Sequence, residues 1–339
     1  MIRVDPMKCL PLLFLVVACG SSSSKTPDAH LIDAASTIDG PVDTAIDAPV
    51  DAPADAPPNA SGTHYHYILD SLSWPTTSNQ ARADAFDLDN DGTLDNQLGQ
   101  VTSTLTGQGL DIQTAQDQAI ARGDVLMLAD VQTTDLATAT DAGYTMYVGT
   151  NPNPAPCSSV SDTICRHHLT GTGTFDAAAT PRDAQLIGSI TAGQLTAGPG
   201  HLSLQMTIFN STPVTITLLA AHAKVTPTAN GITTGILGGA IAQSDFHAKI
   251  YPAMQTGFAA VIATDCTGQN PPGCGCTANS NGATMIQLFD ANHDCAVSEP
   301  EIENNSLIMA LFQPDVMVEG QMALSAGFAI TGVGATYTP

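Results

Sequence analysis

From residue 124 to 225, and again from 315, the chain repeats one pattern: short runs in which apolar side chains recur at every second position, separated by stretches in which Gly, Thr and Ala dominate. The clearest run is Leu202, Leu204, Met206 and Ile208, followed by 214–225, which is rich in β-branched residues. A period of two puts alternate side chains on opposite faces of an extended strand, so one face can be buried while the other meets water. The same reading predicts strands over 125–131, 144–148, 171–175 and 185–190, and again over 315–338, where Val316, Val318, Met322 and Leu324 carry the alternation. Strands that follow one another through turns pair antiparallel, which gives a mainly β fold, an antiparallel sandwich or jelly-roll-like arrangement. Helical periodicity is confined to short segments at 98–105, 111–122, 244–251, 253–263, 283–289 and 302–312. In the second of these Ile112, Ala115, Ala119 and Ile120 share a face, with Asp111 placed to cap the start and Gly123 to end it.

The first sixty or so residues are of another kind. Arg3 and Lys8 precede an apolar run over 10–18 that is too short for a permanent membrane span, so residues 1–18 are read as a signal peptide. The run ends Val16-Val17-Ala18-Cys19, which resembles the cleavage box of bacterial lipoproteins. That resemblance covers this segment alone; it implies cleavage before Cys19, a diacylglycerol on its sulfur and attachment to a membrane. Gly20 stands where an aspartate implies retention in the inner membrane, so the implied location is the outer membrane or cell surface. Serines at 21–24 lead into Asp39, Asp43, Asp47, Asp51 and Asp55, spaced four apart among Ala, Pro and Val. Proline blocks helix, the aspartates repel and the small apolar residues cannot build a core, so 19–62 is expected to be an extended, solvated linker before a globular domain at 63–339. The 9 Lys and Arg against 32 Asp and Glu leave a formal charge of -23, which opposes contact with nucleic acid and favours cations or basic surfaces as partners.

With Cys9 in the signal peptide and Cys19 lipidated, the cysteines that remain are Cys157, Cys165, Cys266, Cys274, Cys276 and Cys295. An even number in an exported chain reads as disulfides. Cys157 and Cys165 bracket a short loop and are expected to pair. The connectivity of the other four is open, and Cys274-Gly275-Cys276 could instead be a thiolate metal or redox site.

Asp290, Asn292, Asp294, Ser298 and Glu301 set side-chain oxygens at positions 1, 3, 5, 9 and 12 of one stretch, with the carbonyl of Ala296 at position 7. Residue types and spacing resemble an EF-hand calcium loop. The resemblance implies Ca2+ held by these six residues, with Glu301 bidentate at the start of an outgoing helix. Ser298 and Glu301 have capping-box spacing and Pro300 falls in the first helical turn, where its missing N–H is harmless. Phe289 and Val297 are apolar where such a loop packs on its helices, so an EF-hand-like helix–loop–helix is expected at about 283–312, inserted in the β domain. The departure is Cys295 in place of the glycine at position 6, which takes the left-handed turn; a disulfide there would hold the strained conformation. A second acidic loop, Asp87, Asp89, Asp91, Gly92, Thr93 and Asp95, is similar to the Asp-x-Asp-x-Asp-Gly loops of dockerin-like modules. Leu98 occupies its position 12, so a further oxygen must come from Asp84 or water.

No Gly-x-Ser-x-Gly elbow, phosphate-binding glycine loop or His-Glu-x-x-His pattern occurs. His64 and His66 share a face of a strand, but a zinc site there needs a third ligand, and they are read as exposed histidines beside the linker. Arg166, His167 and His168 are read as a surface turn, and His222 as a hydrogen-bonded core histidine. The function expected is that of a lipid-anchored, calcium-binding surface or periplasmic protein with a binding or structural role and a protein or glycan as ligand. The alternative is a calcium-dependent hydrolase of an extracellular polymer, which would need two carboxyl groups flanking a glycan at about 5–5.5 Å.

Overall fold

The computed structural model describes residues 59–107, 112–208, 212–267 and 273–339. The expected signal peptide, Cys19, nearly all of the expected linker and the expected cap at Asp111 lie outside them. In chain order the elements are β1 (Thr63–Ser73), α1 (Ser78–Ala83), α2 (Gln97–Gly107), α3 (Gln113–Arg122), β2 (Met127–Thr133), β3 (Ala139–Asn153), β4 (Gly173–Ala177), β5 (Leu186–Thr191), β6 (Gln194–Ala197) and β7 (Leu202–Met206). They continue with β8 (Val214–Thr228), β9 (Gly231–Ala242), α4 (Gln243–Asp245), α5 (Tyr251–Asp265), α6 (Asn281–Phe289), α7 (Glu299–Glu303), α8 (Ser306–Leu311), β10 (Val316–Val318) and β11 (Gln321–Thr336).

The fold is mainly antiparallel sheet with a few short helices, as the alternation requires, and the sheet folds over on itself like a sandwich. Its pairings also close. Each of β1, β2, β3, β5, β6, β8, β9 and β11 is hydrogen-bonded to the next, β11 returns to β1, and every one of these pairs is antiparallel. Residues directly opposite one another in an antiparallel pair point to the same face, which lets one face be followed around the ring. Tyr67 opposes Ala129, Val131 opposes Tyr144, Tyr144 opposes Leu186, and Ile190 opposes Leu195. Leu195 then opposes Val225, Ala223 opposes Leu237, Leu237 opposes Phe328, and Ile330 opposes Leu72. All of these are buried, so the ring encloses an apolar core that fixes its register; a slip by one residue would turn the whole set outward.

One long ring strand, β9, was not visible in the sequence. β9 reads Gly-Ile-Thr-Thr-Gly-Ile-Leu-Gly-Gly-Ala-Ile-Ala, poor in the large side chains that mark a strand. Its glycines make room: a Cβ at Gly238 would meet the Phe86 ring, and one at Gly327 on the neighbouring β11 would meet the Asp84 carbonyl. The segment carrying the first acidic loop therefore lies directly on the sheet. Buried Asn96 locks it there, donating through Nδ2 to the carbonyls of Ala81 and Gly327 and accepting through Oδ1 from the amides of Gly99 and Gly327.

Between β9 and β10, the described residues within 243–312 form a helical layer that is longer than the expected insertion. The segments read as separate helices around Pro252 run on as one: a π turn at Phe246–Ile250 passes into α5, whose first turn accommodates the proline. Phe258 packs on Phe289 at 4.8 Å and Phe246 on Phe312 at 5.3 Å, joining the layer to the ring core. The expected helix over 302–312 is instead two short ones. Asn305 turns its side chain back to accept from the amides of Leu307 and Ile308, which stops α7 and caps α8.

Asn96→Ala removes four hydrogen bonds and strands buried backbone groups of Gly99 and Gly327. We expect it to lower the unfolding free energy by about 2–4 kcal/mol, read by urea denaturation; a loss within experimental error would show that the amide does not hold the segment.

Candidate metal centres

The loop 290–301 begins where α6 ends at buried Phe289. Asp290 is almost fully buried and its two oxygens accept from the amides of Asp294 at 3.0 Å and Cys295 at 2.9 Å. Asn292 Oδ1 accepts from the Asp294 amide, and Asp294 Oδ1 from the Ala296 amide. Asn292 and Asp294 thus each turn the chain two residues further on and Asp290 four and five further on, and His293 and Cys295 take positive φ of 60° and 69° to allow it. Cys295 occupies the left-handed conformation that glycine would supply, and its sulfur is bonded to buried Cys274.

Glu301 closes the loop. Oε1 accepts from the amides of Ala291 and Asn292, and Oε2 from the amide and hydroxyl of Ser298, which completes the capping box of α7. Burial pushes its carboxyl upward, but the amides of Ser298 and Asn292, the Ser298 hydroxyl and the Ala291 amide outweigh it and hold the group below its ordinary value. A carboxylate offers about four lone-pair sites. In this arrangement Glu301 uses all of them within the loop, whereas Asp290 has one to spare on each oxygen. A cation here would take Asp290, Asn292, Asp294, the Ala296 carbonyl and Ser298, with Glu301 exchanging loop contacts for metal ones.

The loop 87–98 is built by the same device. Asp87 accepts from the amides of Asp91 and Gly92, Asp89 from Asp91, and Asp91 from Thr93, while Asn90 and Gly92 take positive φ. Asp95 pairs with Phe86 across the base of the loop and accepts from the Leu88 amide at 2.8 Å. Carboxylate oxygens of Asp87, Asp89 and Asp95 lie within 4.8 Å of one another. Burial first, and then the charges of Asp89, Asp315 and Asp91, raise the Asp95 carboxyl against the pull of the Leu88 amide. Burial raises Asp84 as well. Crowded carboxylates of this kind are relieved by a cation among them.

The disulfides join Cys157 to Cys165, Cys266 to Cys276, and Cys274 to Cys295. Cys274 and Cys276 therefore belong to two different bridges, and neither is a thiolate. Asp162, inside the first of these loops, accepts from the amides of Ser158, Ile164 and Cys165 and pairs with His167 at 2.9 Å. Arg166 donates to the Asp70 carbonyl, tying that turn to β1. His168 is fully buried, unlike the surface turn expected, because it packs edge-on against Phe175; burial, then the Arg166 and His167 charges, push its pKa down to about 4. His222 is half-buried, stacks on Phe86 and contacts the Ala220 carbonyl through Nδ1.

A third group stands on the outer face of the ring. His64 and His66 project from the same side of β1, and Asp130 on β2 is directly opposite His66. His64 Nδ1 is 2.8 Å from Asp130 Oδ2, and His66 Nε2 is 3.7 Å from Asp130 Oδ1. Asp130, which the sequence reading did not single out, is 1% exposed. Only the β1–β2 register discloses it, since the two strands are far apart in the chain. No protein-family model matches the chain, and neither a curated protein nor a solved structure does.

Proposed function

We propose that the protein is a lipid-anchored, calcium-binding protein of the bacterial outer membrane or cell surface, with a binding or structural role toward a protein or glycan. The observation that carries the calcium reading is the left-handed Cys295, which lets Asp290 and Asn292 both turn an oxygen onto the Asp294 amide although the expected glycine is missing. The second loop supports it through the convergence of Asp87, Asp89 and Asp95. Both loops are hard-oxygen sites suited to Ca2+. The anchor rests on Val16-Val17-Ala18-Cys19, and the oxidised cysteines suit an exported protein. In this reading Ca2+ binds the native loops alone, and stability rises with its free concentration, by about 1.4 kcal/mol at ten times the dissociation constant.

Thermal unfolding of the full chain should shift upward in millimolar calcium relative to chelator, by roughly 2–4 °C for each kcal/mol gained; an unchanged midpoint would remove the calcium reading. With the other loop disabled through Asp89→Ala and Asp91→Ala, calorimetric titration of Glu301→Gln should show calcium affinity reduced about tenfold or more, the worth of a charge-assisted contact. Equal affinity would exclude Glu301 as a ligand.

The pair Cys274→Ala with Cys295→Gly keeps the left-handed turn and removes the cross-link. It should lower stability by about 2–4 kcal/mol and weaken calcium at loop 290–301 less than Glu301→Gln does; the opposite ranking would make the bridge the main determinant of the site. Cys19→Ala should release the protein from the membrane fraction, because lipid chains on Cys19 are what hold it there, and retention of the variant would refute the anchor.

A further inference from the structure

We propose that His64, His66 and Asp130 form a binding site for a divalent transition-metal cation, with zinc as its natural probe, on the outer face of the ring and separate from the calcium loops. The three donors come from two hydrogen-bonded strands whose register is fixed from behind by the apolar core: Tyr65 opposes Val131 and Tyr67 opposes Ala129 on the inner face. The outer-face donors are thereby held as rigidly as the core itself, a requirement for preorganised ligands.

Each donor offers one atom, and these atoms lie within 4.8 Å of one another. Zinc bonds of about 2.0–2.1 Å at tetrahedral angles set donors roughly 3.4 Å apart, close to the 3.7 Å between His66 Nε2 and Asp130 Oδ1.

A hydrogen-bonded histidine–aspartate pair accounts for only part of the arrangement. His64 engages Asp130 Oδ2. Asp130 Oδ1 and His66 Nε2 are both buried and both without a hydrogen-bond partner, and they face each other at a separation too long for a hydrogen bond. Native folds seldom leave a buried carboxylate oxygen unsatisfied. A cation bound by all three residues supplies the missing partner for both atoms. The Tyr337 ring stacks on His66 at 4.4 Å and fixes the plane of the imidazole.

Two imidazole nitrogens and one carboxylate oxygen select a borderline transition metal over calcium or magnesium, which take oxygen alone. With three protein ligands the coordination shell keeps a position for water, and the half-exposed side chain of His64 leaves it open to solvent.

The test is equilibrium dialysis of the full chain against zinc in millimolar calcium, which keeps the acidic loops occupied by their own ion. The parent should retain one zinc per chain. His66→Gln and Asp130→Asn should each weaken binding by at least about tenfold, the loss that follows removal even of an outer partner of a ligand. Cobalt(II) in place of zinc should give visible absorption bands that vanish in the double variant His64→Gln with His66→Gln. That double variant alters partly exposed side chains, so it carries the test if Asp130→Asn fails to fold by circular dichroism. Absence of bound zinc in the parent, or zinc and cobalt binding by the double variant equal to the parent's, would overturn the proposal.

Discussion

Hydrogen bonding between β1 and β11 closes the ring, and everything else in the molecule takes its position from that closure. An open sheet of this length leaves two rows of unpaired amides and carbonyls. Here Ile68 opposes Val333 and Leu72 opposes Ile330, so the two outermost ring strands satisfy each other. With no free edge among the ring strands, the interior can be filled by side chains from all eight, and Tyr67, Tyr144, Leu237 and Phe328 lie in the apolar core without any exposure. Closure also makes the outer face a fixed surface, on which each residue's position follows from that of its inward-facing neighbours.

On that surface the two acidic loops are held in different ways. The first is pressed against β9 and β11 where glycines leave room, and the Asn96 amide fastens it with four hydrogen bonds to backbone. The second lies within a helical layer whose aromatic contacts reach the core, and a covalent link from Cys274 to Cys295 replaces the buried amide. In both, carboxylates accept from backbone amides two or more residues ahead, so the turn and the proposed ligand sphere are one set of contacts. Glu301 is the extreme case, since its carboxylate is wholly engaged in holding the loop shut.

The strands over 202–206 and 214–228 were legible because Leu, Ile and Val mark the buried face directly. β9 was not, because Gly235, Gly238 and Gly239 are there for what they admit, namely neighbouring side chains and backbone, and that depends on partners the local sequence does not name. The loop residues Asp290 to Glu301 were legible as a set, since their spacing is itself the geometry of the turn. Bridging of Cys266 to Cys276 and of Cys274 to Cys295 was open, because adjacent cysteines are distinguished only by the direction their backbone faces. His64 and His66 were visible and Asp130 was not: a pattern of alternation gives the face a residue occupies, but the residue opposite depends on long-range register. The break at Asn304 and Asn305 illustrates a local competitor, a side chain that caps as readily as it continues a helix.

Closure of the ring has a kinetic side. Thr331 donates to the Asp70 carboxylate across 261 positions of chain, and joining points that far apart costs about 5 kcal/mol of chain entropy before any contact repays it. The β8–β9 pair, by contrast, joins neighbours through a short turn between Thr228 and Gly231. Contact order favours hairpins of that local kind forming before the β1–β11 seam, and until the seam closes the edges of both strands are open to pairing with another chain. A strongly negative net charge keeps such open chains apart from one another during that interval.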